Sequence, residues 1–191
     1  MTTVVIAEDE AIIRLDLKET LIEEGYSVVG ETGRGDDAVE LTRELRPDLV
    51  ILDIKMPGMT GLEAARAINE ERLAATLILT AFSQRELISQ ARDAGALAYL
   101  VKPFNRADLV PAIEVALGRY AEIQALSEQT ADLQDRLETR KLLDRAKGML
   151  MDELAISETE AFRFIQTTAM AERSTMKSVA TRIIDEGLRP G

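Results

Sequence analysis

Five short runs of β-branched and aliphatic residues, TVVIA, SVVGE, DLVILD, TLILTA and AYLVK, recur through the first 117 residues, with amphipathic stretches of helical period between them. Their almost unbroken apolar character is that of strands covered on both faces, because a strand with one wet face alternates polar and apolar side chains. The intervening helices supply the cover. Five such βα units predict an α/β domain built on a doubly wound, five-stranded parallel sheet, in which ligands sit outside the carboxyl ends of the strands.

That edge is where the chemistry-bearing residues fall. Glu8 and Asp9 end the first strand, Asp53 the third and Thr80 the fourth, and Lys102 follows the fifth. Three crowded carboxylates repel one another, and a hard divalent cation such as Mg²⁺, which prefers oxygen ligands, relieves the repulsion. Asp53 can then act as nucleophile toward a phosphoryl group, with the cation and the Lys102 ammonium neutralising charge on its oxygens and the Thr80 hydroxyl donating to one of them.

Composition narrows the alternatives. The chain has no cysteine and no histidine, which excludes disulfides, thiolate metal sites, Ser-His nucleophile systems and an internal phosphohistidine. A separate phosphodonor is therefore expected. No apolar run approaches the roughly 20 residues that span a bilayer, and a soluble, cytoplasmic protein without a membrane partner is expected. The net charge of −11 is uneven: residues 1 to 117 carry 12 basic and 21 acidic residues, whereas residues 131 to 191 carry 10 and 11. A nucleic-acid role for the tail stays open.

From Asn105, a candidate helix cap, helical character runs to about Leu154. Ile123, Leu126, Leu133 and Leu137 share one heptad register and predict a short coiled-coil seam able to pair two chains. Beyond Arg140 the apolar face moves to Leu142, Leu143, Ala146, Met149 and Leu150. Ser157 and Glu160 form a capping-box pattern ahead of a helix whose apolar face holds Ala161, Phe162, Ile165 and Ala169, with Phe164 pointing elsewhere. Ser174 is the expected cap of a last helix with Met176, Val179, Ala180, Ile183 and Ile184 on one face. The tail is thus a small three-helix, all-α bundle. Gly148, costing roughly 1 kcal/mol inside a helix, is expected to sit beside Ala146 at a close helix crossing.

The motifs AEDE, LDIKMPGMTG, LTA and YLVKPF resemble those of the receiver domains of two-component response regulators, over about residues 3 to 118. The resemblance implies a flavodoxin-like fold in which Asp53 is the phosphoacceptor and is served by a sensor histidine kinase. It also implies that Glu8, Asp9, Asp53 and the Lys55 carbonyl hold Mg²⁺, and that Lys102 pairs with the phosphoryl while Thr80 and Tyr99 form a switch. Glu8 stands where many members have Asp, which lengthens one ligand arm, and Thr60 replaces a frequent Asp. Lys55 and Phe82, two positions beyond Asp53 and Thr80, flank the path of an attacking water and predict slow self-dephosphorylation. A haloacid-dehalogenase-type phosphatase also uses a strand-end aspartate, but it needs a second Asp where this chain has Lys55.

RAKGMLM, SETEAF and VATRII resemble the ANTAR domain, the RNA-binding output of transcription antitermination regulators, over about residues 130 to 188. This implies that RNA hairpins in nascent transcripts are the ligand and that RNA polymerase is the indirect target. The domain plan is a receiver over 1–118, a helical coiled-coil linker over 119–139 and the RNA-binding unit over 140–191. Arg136, Arg140 and Lys147 lie within about 40° on a helical wheel, Lys141 and Arg145 form a second stripe, and Arg173 and Lys177 complete the candidate RNA contacts. A DNA-reading helix-turn-helix is the rival output, although Lys177, Arg182 and Arg189 are offset by Asp185 and Glu186. A pure dimerisation or protein-docking module is the other rival.

Overall fold

The computed structural model describes residues 1–81 and 85–189, with the backbone alone at 85–88 and at 131. The chain divides into two compact units, Met1–Gln124 and Ala125–Gly191.

In the first unit β1 (Thr3–Ala7), β2 (Ser27–Thr32), β3 (Leu49–Asp53), β4 (Ala75–Thr80) and β5 (Ala98–Val101) alternate with α1 (Ala11–Glu23), α2 (Gly35–Leu45), α3 (Gly61–Glu70) and α4 (Arg85–Asp93), before α5 (Arg106–Leu154) begins. The strands form one parallel sheet in the order β2-β1-β3-β4-β5, as in flavodoxin-like domains. Side chains alternate across it. Val5, Val50, Leu52 and Ile78 pack with α2, α3 and α4, while Val4, Ile6, Leu49, Ile51, Leu77 and Leu79 pack with Leu17 and Leu21 of α1 and with Leu109 and Ile113 of α5. Every residue of β3 and β4 is buried, which accounts for their unbroken apolar sequences. Each fully buried aliphatic side chain contributes about 1.5–3 kcal/mol relative to exposure.

Helix α5 opens on a reciprocal cap. The Asp108 N–H donates to Asn105 Oδ1 at 3.2 Å and the Asn105 N–H to Asp108 Oδ2 at 3.3 Å. The seam residues Ile123, Leu126, Leu133 and Leu137 of this helix are all exposed, Leu133 at 65%.

The second unit packs the C-terminal part of α5 against α6 (Glu158–Ala171) and α7 (Met176–Asp185), around Ala146, Leu150, Ala161, Ile165, Val179, Ala180 and Ile183. The Ser157–Glu160 capping box is present in both directions. Three expectations need correction here. Thr175, not Ser174, caps α7 and accepts the Ser178 N–H at 3.1 Å. Ser174 is taken up in closing α6: its N–H donates to the Ala169 carbonyl at 2.9 Å, with Arg173 left-handed at φ 51°. The two phenylalanines exchange roles, since Phe164 packs on the core and Phe162 is 42% exposed. The buried residues of α6 are Ala161, Ile165 and Ala169; Phe164 flanks them on the packed side, whereas Phe162 lies in the groove toward α5. Gly148 meets no helix, because a Cβ added there finds nothing within 4 Å. The close crossing inferred from its small size is absent.

Candidate functional site

The strand order places the carboxyl ends of β1 and β3 side by side at the point where the connections diverge to opposite faces of the sheet. Asp53 ends β3, and Glu8 and Asp9 follow β1, so the topology alone crowds three carboxylates together. One oxygen of each lies within 4.8 Å of the others, a spacing one cation could bridge. Glu8 is fully buried and Asp53 nearly so, while Asp9 reaches solvent.

Lys102 closes the cluster. Its Nζ donates to Asp53 Oδ1 at 2.7 Å and to Glu8 Oε2 at 2.5 Å. Burial pushes the Glu8 carboxyl above its ordinary range and the charge on Asp53 adds to this, with Lys102 opposing in part. Burial alone would lower the Lys102 ammonium, but hydrogen bonds to Asp53 and Glu8 hold it above the usual lysine value. The second carboxylate oxygen of Asp53 accepts the Lys55 N–H at 2.9 Å. One face of the Asp53 carboxylate is thereby oriented by a backbone amide and the other by an ammonium.

Surrounding loops fix this arrangement. Gly61 opens α3 directly beneath the site, where a Cβ would lie 1.9 Å from the Asp53 carbonyl oxygen. Thr60 caps that helix in a capping box with Glu63, a role the T-x-x-E spacing at 60–63 signals and the comparison with Asp at this position obscures. Arg14 of α1, not singled out in the sequence, donates from Nη1 to the Glu8 carbonyl at 2.5 Å. No local sequence pattern identifies that contact, because it depends on how α1 folds back over the loop after β1.

Thr80 is buried at the end of β4. It is paired with Val101 of β5, and Tyr99 two residues earlier is on the same sheet face. Tyr99 is half-exposed and lines a shallow hollow of 490 Å³ with Ala91, Pro111 and Val115. Lys55 is exposed, and Phe82 lies outside the described residues.

In the second unit the cations separate into groups. Arg136, Arg140 and Lys147 line one groove of 610 Å³ between α5 and α6, together with Phe162. Lys141 and Arg145 are exposed off that groove. Lys147 is held between Asp144 at 2.8 Å and Glu158 at 2.7 Å. Lys177 of α7 is paired with Asp135 and approaches Glu138 at 3.9 Å, and Arg173 is exposed at its left-handed position. Arg182 is engaged by Glu172 and Glu186, and Arg189 by Glu153. Among the described residues no helix is long and apolar enough to cross a membrane.

Comparison with known proteins agrees with this division. The response regulator receiver domain family matches residues 4–114 and the ANTAR domain family residues 131–184. The transcriptional regulatory protein PdtaR of Mycobacterium tuberculosis is 56% identical over 182 residues, covering 95% of this chain and 89% of that protein. The chemotaxis protein CheY of Thermotoga maritima is 38% identical over 111 residues, 58% of this chain and 92% of its own length. Among solved structures, a LuxR-family DNA-binding response regulator from Staphylococcus aureus superposes with a TM-score of 0.59 at 33% identity, covering 61% of this chain and 99% of that one. With a receiver fold carrying an acidic cluster and a lysine at its strand ends, and an ANTAR unit after it, the chain belongs to the response regulators.

Proposed function

We propose that this response regulator takes a phosphoryl group on Asp53 from a sensor histidine kinase in the cytoplasm and, in response, binds hairpins in nascent RNA and keeps RNA polymerase from terminating. The observation that carries the first half is the Lys102 ammonium lying 2.7 Å from Asp53 Oδ1. An Asp53 carboxylate oxygen forms the new bond to phosphorus as the bond from phosphorus to the donor imidazole breaks and the imidazole keeps the electron pair. Lys102 lies beside the Asp53 carboxylate that receives the phosphoryl group, close enough to neutralise charge on the incoming phosphoryl oxygens, and the Lys55 N–H keeps the Asp53 carboxylate in one orientation. Glu8, Asp9, Asp53 and the Lys55 carbonyl offer the hard oxygen donors that Mg²⁺ prefers. Bound there, Mg²⁺ would supply positive charge to the phosphoryl oxygens. Thr80 then donates its hydroxyl to the acquired phosphoryl, and Tyr99 on the same face carries the change outward to the α4–β5–α5 surface.

For output, the receiver over 1–118 is followed by a helical linker over 119–139 and the RNA-binding unit over 140–191. The exposed apolar seam of Ile123, Leu126, Leu133 and Leu137 favours a second copy of this chain as the partner on activation, placing two RNA-binding units on one transcript. RNA is favoured over duplex DNA because the cations of α7 that a recognition helix would need, Lys177 and Arg182, are held in intramolecular ion pairs. Direct contacts are drawn from Arg136, Arg140, Lys141, Arg145 and Arg173, while Lys147 and Lys177, the other two candidate cations, act from within their ion pairs.

The test compares binding of tandem-hairpin RNA and of duplex DNA over a salt series, with and without beryllofluoride and Mg²⁺, for the full chain and for Asp53→Asn. Expected are salt-dependent RNA binding that beryllofluoride strengthens, and loss of that response in Asp53→Asn. Equal or tighter binding to duplex DNA, or a response surviving in Asp53→Asn, sinks the reading.

A further inference from the structure

Phe162 is an anomaly in the second unit. It is 42% exposed although Phe164, two residues on, packs against the core. A singly exposed aromatic is ordinary, but this one lies in the groove that also holds Arg136 and Arg140.

The acidic residues of that groove are already satisfied. Asp144 and Glu158 share the Lys147 ammonium, at 2.8 and 2.7 Å, and Asp135 is paired with Lys177. Arg140 is left with its side chain 85% exposed and its nearest carboxylate, Asp144, 4.0 Å away. Arg136 has Asp132 for a partner, outside the groove, and is 73% exposed. The groove therefore presents an aromatic ring and two exposed guanidinium groups, while Lys177 offsets the charge of Asp135 and the single Lys147 ammonium offsets half of the charge of Asp144 and Glu158.

We infer that this groove is the seat of one unpaired RNA base, which stacks on the Phe162 ring while Arg140 and Arg136 hold the phosphates on either side of it. Single-stranded nucleic acid is held in this way, by a π-face for the base and cations tracking the backbone. Lys147 and Lys177 act as positioning residues: they hold Asp144, Glu158 and Asp135 in ion pairs and so reduce the repulsion those carboxylates exert on the phosphates. The inference rests on the RNA-binding reading above and adds to it the class of nucleotide and the platform that receives it.

The experiment uses the full chain and, as probe, a two-stem-loop RNA selected on the wild-type protein from a pool with randomised loops, with 2-aminopurine placed at each loop position in turn. Phe162→Leu removes the ring and keeps the apolar bulk, and Phe162→Trp keeps a stacking surface. We expect one loop position whose fluorescence is quenched by the wild type and by Phe162→Trp but not by Phe162→Leu. Affinity should fall about ten-fold or more in Phe162→Leu and stay within about three-fold of wild type in Phe162→Trp. Arg140→Gln should weaken binding and lower the slope of log affinity against log salt by about one. Unchanged helical circular dichroism in Phe162→Leu ascribes the loss to the ring. If no RNA is selected by the wild-type chain, the RNA-binding reading fails and this inference with it. If the wild type binds RNA and Phe162→Leu binds it equally well, the stacking site alone is overturned, whatever peptide the groove takes instead.

Discussion

Replacing Gly148 by alanine isolates one energy term. Gly148 lies inside α5, six residues before the end of the helix at Leu154. A Cβ there meets no atom within 4 Å, so neither overpacking nor a displaced helix opposes the change. What remains is helix propensity, which favours alanine by about 0.8–1.0 kcal/mol. In a unit running from Ala125 to Gly191, that corresponds to a rise of about 4–8 °C in the midpoint of its unfolding. The chain has no tryptophan, and its tyrosines, Tyr26, Tyr99 and Tyr120, all belong to the first unit, so tyrosine signals follow the receiver and are blind to the tail. Hydrogen exchange at the buried amides of Ile165 and Val179 reads the second unit in the full chain. Their protection should rise about five-fold in Gly148→Ala, with tyrosine-detected unfolding unchanged. Gly148→Leu provides the opposite control: it should also stabilise the tail, whereas a tight helix crossing would make it cost about 1–3 kcal/mol. Reduced protection in either variant refutes the reasoning and reinstates a packing partner at Gly148.

Gly61→Ala should destabilise the receiver by about 2 kcal/mol or more, since its Cβ would lie 1.9 Å from the Asp53 carbonyl and backbone must give way; urea unfolding followed by tyrosine circular dichroism measures this, and a change under about 0.5 kcal/mol contradicts it. Asp48 accepts the Thr3 N–H at 2.7 Å and the Thr3 hydroxyl at 2.8 Å, and these bonds hold its carboxyl below the ordinary range. Because the folded value is depressed, the stabilisation is complete above the unfolded value of about 3.9 and is lost as pH falls through the folded one. Wild type should therefore lose more receiver stability than Asp48→Asn between about pH 4 and pH 2, and parallel losses in the two proteins would show that Asp48 carries none of it.

Much of the receiver is legible in the sequence. Strands buried on both faces must be apolar throughout, so β3 and β4 announce themselves as central, and a parallel sheet sends every strand end to one edge. Glu8, Asp9, Asp53, Thr80 and Lys102 are recognised there as polar residues stationed where apolar runs stop. Caps were legible for the same local reason, as at Asn105 and Ser157, since a cap is completed within three residues. Ser174 shows the limit. It and Thr175 are equally good caps by type, and the choice fell to how α6 terminates.

Periodicity tells which residues lie on a helix face but not where the next helix will cover it. Phe162 and Phe164 flank the same stripe of α6, and only the packing of the neighbouring helices decides that Phe164 packs and Phe162 stays wet. Gly148 could signal a close contact or the lack of one, and the residue is the same in both cases. The Lys102 bridge to Glu8 and Asp53, the Arg14 hydrogen bond to the Glu8 carbonyl and the ion pair of Lys147 with Glu158 join residues whose separation in sequence carries no distance information. What the sequence by itself determined is the local order: element types, caps, the edge of the sheet that holds the chemistry, and the two families it resembles. What only the tertiary structure decided is which charges are already spent on one another and which rings and guanidinium groups remain turned toward solvent, because pairing and burial depend on distances between elements that the backbone brings together only on folding.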